Sequence, residues 1–138
     1  DYGALPITDI ITEQSLALAT SSKQEKRVKR LPKVATRLSV KFNKYLAKRL
    51  VKIEKETGVD IIELDQFASA ENRIDDAENL GFTNIDTPCI YTLDGLVINP
   101  ECTDFPVASG FLFWDEYHPT TLAHQLIAAE TLELILSH

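Results

Sequence analysis

From Lys33 to Glu56 the apolar residues Val34, Leu38, Phe42, Tyr45, Leu46, Leu50 and Ile53 recur every three or four positions, with Lys and Arg between them. That period predicts a long amphipathic helix over 33–56, and Gly58 supplies its stop. The pattern then changes: "VDIIELD", Val59–Asp65, is short and rich in β-branched residues, and reads as a strand following a helix in an αβ unit. Ser69 is placed to cap a helix running to about Asn79, with Gly81 as its C-terminal signal. In "YTLDGLVI" the pair Asp94-Gly95 stands between apolar flanks, which predicts a tight hairpin. Phe111–Trp114 form a short apolar strand, and a helix follows from Pro119 or Thr120 to Leu136, with Leu122, Leu126, Ala129 and Leu132 among its inward candidates. At the front, Leu5-Pro6 reads as a strand exit followed by a helical turn around Glu13 to Ala19. "SSKQEKRVKR" reads as a polar loop or helix approach.

These elements do not add up to a closed sheet. A strand such as Val59–Asp65 needs partners on both sides, and three or four helices need a sheet to cover. Either the fold is unusual or part of it is contributed by sequence outside these residues. The chain has 138 residues, 44% of them hydrophobic, with six Pro and five Gly. That is enough apolar material for one domain's core and excludes a low-complexity segment. Charges interrupt every apolar stretch well before the length of a membrane-spanning helix, and the opening residues show no signal-peptide pattern.

The net charge of −7 conceals an asymmetry. Thirteen of the fourteen Lys and Arg lie between Lys23 and Lys55, whereas residues 59–138 hold only Arg73 against fifteen Asp and Glu. A basic amphipathic helix can lie on an anionic membrane surface, or it can simply cover a core with a solvated Lys/Arg face. Nucleic-acid binding is disfavoured by the acidic second half and the lack of a recognition motif. Cys89 and Cys102 close a loop compatible with a disulfide, which implies an oxidising compartment; the plainer alternative is two unpaired buried thiols.

The candidate chemistry lies in "FWDEYHPTTLAH", residues 113–124, where an apolar strand ends in Asp115 and His118 follows just before a helix. Ligand sites in open α/β sheets lie at the carboxyl ends of the strands. A carboxylate bonded to one imidazole nitrogen fixes the tautomer, leaves the other nitrogen as a base and stabilises the imidazolium that forms. On spacing alone the pair reads first as a surface ion pair or a helix-capping arrangement. His124 lies six residues beyond His118, about 600° around a helix, so the two share no face and no metal site is expected. Phe113 and Trp114 are acyl-chain contacts or, more simply, core.

The string "FWDEYHPTTLAHQLIA" resembles the C-terminal block of the GDSL, or SGNH, serine esterases and lipases, in which an apolar strand end leads into Asp-x-x-His-Pro-Thr and a helix. "ALPITDII", "FNKYLAKRL" and "GVDIIELD" resemble the segments that precede it in that family, and "LGFTNIDTPC" is similar to a Gly-Phe-Thr segment leading to a cysteine in bacterial phospholipase and acyltransferase members. The resemblance implies a three-layer α/β/α, flavodoxin-like fold, of which residues 1–138 are the C-terminal portion of a single domain. It implies His118 as general base and Asp115 as its orienting carboxylate, with no cofactor and no metal. The family's Gly-Asp-Ser nucleophile block has no counterpart here: none of the seven serines follows Gly-Asp. The nucleophile and oxyanion donors are therefore expected from an N-terminal part of the same enzyme, as a covalent or separately processed partner. The implied reaction is hydrolysis or transfer of acyl groups from ester lipids, with phospholipid or lysophospholipid leading, in a secreted or periplasmic, bacterial setting. A carbohydrate or small-ester deacetylase is the alternative within the class, and a non-catalytic membrane-surface module built on helix 33–56 the alternative outside it.

Overall fold

The structure, a computed structural model, describes residues 2–93 and 95–138. The chain divides into two compact units, residues 1–63 and residues 64–138. The first is built of helices as far as Thr57. A 3-10 turn, Tyr2–Ala4, leads into α1 (Pro6–Ala17), α2 (Ser22–Val28) and the 27-residue α3 (Leu31–Thr57). Leu5 is extended but ends no strand; it is the N-cap residue of α1, and Pro6 occupies the first turn, where its missing N–H costs nothing. The stretch read as a polar loop or helix approach is helical over Ser22–Val28. Ser21 Oγ accepts the Gln24 N–H at 3.3 Å while the Gln24 side chain reaches back to the Thr20 N–H at 2.8 Å, a reciprocal cap for α2.

Helix α3 bears out the periodicity and its stop. Gly58 adopts φ 72°, a left-handed conformation that a side chain disfavours, and its N–H closes the helix onto Glu54 O at 2.8 Å. Most of the apolar stripe that defines the helix stays exposed, including Val34, Leu38, Phe42, Tyr45 and Leu46.

The second unit comprises α4 (Gln66–Asp75), α5 (Ala77–Leu80), a two-stranded antiparallel sheet of β1 (Ile90–Tyr91) and β2 (Val97–Ile98), and α6 (Thr121–Ser137). Val59–Asp65 forms no strand: a ladder needs a neighbouring strand, and none is present among the described residues. The Glu54 carboxylate takes the Ile61 N–H at 3.1 Å in its place. Asp65, rather than Ser69, caps α4, accepting the N–H groups of Phe67 and Ala68 at 3.0 and 3.1 Å. Ser69 is instead buried within the helix, where it donates to the Glu130 carboxylate of α6. Arg73 Nη1 meets the same Glu130 oxygen at 2.9 Å and ties α4 to α6. The single helix expected from Ser69 to about Asn79 is broken at Asp76, and Gly81, in a left-handed conformation, ends its second part, α5.

The hairpin and the disulfide are both present. Ile90 pairs with Ile98 and Tyr91 with Val97, inside a loop closed by the Cys89–Cys102 bridge. Gly95 lies in the turn, while Asp94 lies outside the described residues. Cys89, Ile90, Cys102, Ala108 and Phe111 form the buried cluster of this unit, with Trp114 packed against it. On α6 the inward residue is Ala123, with Leu122 and Leu126 half-buried; Ala129 and Leu132 are exposed.

Candidate active site

The segment Phe111–Trp114 is not a strand in a ladder, although it is held like one. Leu112 N–H donates to Asn84 O at 2.9 Å, and Phe113 O and Trp114 O accept the N–H groups of Cys89 and Ile90, each at 3.0 Å. Gly110 makes the approach possible: it adopts φ 79°, and a Cβ there would lie 2.5 Å from Thr83 Oγ1. Phe111, Leu112 and Phe113 are buried. Phe113 is therefore core, and Trp114 stacks on Phe105 with ring centroids 6.4 Å apart.

After Trp114 the chain reverses. Trp114 N–H donates to His118 O at 2.8 Å, and Thr120 N–H returns to Leu112 O at 3.0 Å. The Thr120 hydroxyl, also buried, donates to Phe111 O at 2.8 Å. The loop 115–118 is closed from within by Asp115, whose Oδ1 accepts the Tyr117 and His118 N–H groups at 2.8 and 2.7 Å. A short carboxylate that caps its own turn is the local reason an Asp ends the apolar run.

The same carboxylate meets the imidazole. His118 Nδ1 lies 2.7 Å from Asp115 Oδ2 and 2.9 Å from Oδ1. Asp115 is 7% exposed, whereas the His118 side chain is 72% exposed. Burial pushes the Asp115 carboxyl up, but the hydrogen bond from His118, the two backbone N–H groups and the His118 charge together hold it below its ordinary value. Asp115 is thus an anion that accepts at Nδ1, leaving Nε2 as the nitrogen available for proton exchange. No serine hydroxyl contacts the His118 ring among the described residues. His124 is exposed on α6, which begins beyond the loop.

Two supporting groups escaped the sequence reading. Glu116 is completely buried and accepts the Thr92 N–H at 2.6 Å, the Thr92 hydroxyl at 2.7 Å and the Leu93 N–H at 3.2 Å. Burial pushes its carboxyl up, and these donors with its own N–H bring it below its ordinary value. Thr120 fastens the far end of the loop. The only signal for either was polarity within an apolar neighbourhood, which does not distinguish a buried anchor from a solvated residue.

This loop falls within a chain that is similar to three GDSL esterase/lipases of Arabidopsis thaliana. One is 32% identical over 101 residues, covering 68% of this chain and 27% of the relative. A second is 29% identical over 99 residues, 67% of this chain and 24% of the relative; a third is 28% identical over 107 residues, 72% and 30% respectively. The chain belongs to the GDSL esterase/lipase family. No family model matches it. This GDSL chain spans less than a third of the length of the curated relatives it matches. Membership implies the α/β fold of the SGNH hydrolases, to which the described residues of the GDSL chain contribute helices and one small sheet.

Proposed function

We propose that this GDSL chain supplies the general base, His118, and its orienting carboxylate, Asp115, to a serine-dependent enzyme that hydrolyses or transfers acyl groups of ester lipids. The observation that carries the reading is the 2.7 Å contact between a buried, ionised Asp115 and an exposed His118. A serine from outside residues 1–138 attacks the ester carbonyl while His118 Nε2 takes its proton. The imidazolium, stabilised by Asp115, returns that proton to the leaving alcohol, and a second cycle with water or an acceptor alcohol frees the enzyme. The residues need no cofactor for these steps.

The complete enzyme is then a three-layer α/β/α domain in which an N-terminal part of the same protein contributes the sheet. The exposed apolar stripe of α3 supports this partner, since Val34, Leu38, Phe42, Tyr45 and Leu46 have the spacing of a helix that covers a sheet. The names of the three relatives support ester and lipid substrates, and we take phospholipid or lysophospholipid as the class. The Cys89–Cys102 bridge supports an exported protein.

The test is labelling and turnover in the complete protein. We expect His118→Ala to abolish hydrolysis of a lysophospholipid and of a short-chain p-nitrophenyl ester, with the fold retained by circular dichroism. Near-wild-type turnover in folded His118→Ala protein would sink the assignment. The exposed stripe, with its flanking Lys41, Lys44 and Lys48, also favours a second reading as a membrane-surface module. Replacing those three lysines with Gln should leave ester hydrolysis in detergent intact under the first reading; under the second it should remove vesicle binding, with His118 having no effect.

A further inference from the structure

Several donors converge on one buried side chain in the middle of the His118 loop. Glu116 is 0% exposed. Its Oε1 accepts the Thr92 and Leu93 N–H groups at 2.6 and 3.2 Å, its Oε2 accepts the Thr92 hydroxyl at 2.7 Å, and its own N–H adds to them. A carboxylate is costly to bury unless its lone pairs are matched, and here the donors are provided.

These bonds extend a pairing that the backbone begins. Cys89 and Ile90 donate to Phe113 O and Trp114 O, and where the chain reverses after Trp114 the Glu116 carboxylate takes the N–H groups further along, at Thr92 and Leu93. Both ends of the loop are tied to residues 111–114, through Trp114 N–H to His118 O and Thr120 N–H to Leu112 O. Among the described residues, Glu116 is the member of 115–118 whose side chain bonds outside the loop. The next two N–H groups, those of Tyr117 and His118, are the ones that hold Asp115 Oδ1, at 2.8 and 2.7 Å. Fixing the backbone at Glu116 therefore also fixes the carboxylate that orients His118.

We propose that Glu116 is a positioning residue for the acyl-transfer reaction: by fastening the loop to Thr92 and Leu93 it keeps the Asp115 carboxylate and the His118 ring in their 2.7 Å contact. This rests on the reading of His118 as the general base. Glu116 makes no bond to the imidazole, so it acts through the Asp115–His118 pair and takes no part in proton transfer. A base displaced by about 1 Å loses up to about 10²-fold in rate, which makes a remote anchor visible in turnover.

The experiment measures kcat and KM for p-nitrophenyl acetate in the complete protein, for Glu116→Ala, Glu116→Gln and Thr92→Val, each alone and combined with Asp115→Asn. Circular dichroism establishes which variants are folded. We expect Glu116→Ala to lower kcat about ten- to hundredfold with KM within about twofold. Glu116→Gln should recover most of that loss, because its amide oxygen can accept the two N–H groups and its NH2 can donate to the Thr92 hydroxyl. In the Asp115→Asn background Glu116→Ala should cost less than about threefold, since a residue that acts through the pair has nothing left to position. The same factor lost in both backgrounds, or wild-type kcat in folded Glu116→Ala, overturns the proposal; a continued need for His118 then leaves the base assignment standing. If Glu116→Ala does not fold, Thr92→Val decides: a fall in kcat that disappears with Asp115→Asn upholds the positioning role, and any other result overturns it. Acetate turnover that survives His118→Ala overturns the reading beneath both.

Discussion

Asp115 does three things with one side chain: it caps the loop through two N–H groups, orients His118, and carries the charge that a protonated imidazole would need. Asp115→Asn keeps the shape but removes the charge and can present an amide N–H to Nδ1, favouring the wrong tautomer. We expect kcat to drop by about 10³ to 10⁴ with little change in KM, measured on the short-chain ester. The two neighbouring carboxyls also make a prediction for stability. Asp115 and Glu116 are held below their ordinary values of 3.8 and 4.5, so on acidification the unfolded chain takes up protons before the folded one does. Their stabilisation is complete above those values and is lost as pH falls through the lower, folded-state values. Urea melts should therefore show stability falling below about pH 4.5, and Glu116→Gln should flatten that dependence. An acid limb as steep in Glu116→Gln as in the wild type would show that Glu116 does not contribute to it.

At the scale of elements, the hairpin is too short to persist by itself, with two residues in each strand. The Cys89–Cys102 bridge, spanning 13 residues, and the Glu116 contacts supply what the strands lack. Chain-entropy arguments give a loop of this size about 3 kcal/mol. Reduction should lower the melting temperature and speed amide exchange over residues 89–102 more than in α3. Peptide mapping without reductant that finds both thiols free would reject the bridge. Elements with a local cause were legible: α3 through its period and Gly58, α6 through the apolar run after Pro119, although the helix itself begins at Thr121, and the hairpin through the apolar runs on either side of Gly95. The cap of α2 went unread, although Ser21-x-x-Gln24 spells it, because the dense Lys and Arg leave the segment without an apolar stripe.

For the whole molecule, the expectation concerns completeness of the site. Residues 1–138 alone should be poorly folded and inactive on esters, and unlabelled by a serine-directed phosphonate. Together with the N-terminal part of the enzyme they should give a labelled hydrolase whose adduct maps outside residues 1–138. The grounds are the exposed stripe of α3 and the absence of a serine hydroxyl on His118 among the described residues. An isolated chain that folds cooperatively and turns over esters would place the nucleophile on one of its own serines.

By itself the sequence determined the long basic helix and the closing helix, and it pointed to the hairpin, the cysteine pair and the Asp115–His118 contact, because each depends on residues close together in the chain: a helical period, apolar runs flanking a turn, a three-residue spacing. Tertiary structure decided the rest. Val59–Asp65 has the composition of a strand, yet a strand is a relation between segments, and without a neighbour among the described residues its N–H groups find other acceptors. Ser69 has the composition of a cap, but Glu130 and Arg73 draw it into a contact between helices sixty residues apart in the chain. Glu116 shows the difference most clearly. Its sequence neighbours mark nothing, and its role comes from Thr92 and Leu93, whose N–H groups only the folded chain brings to its carboxylate.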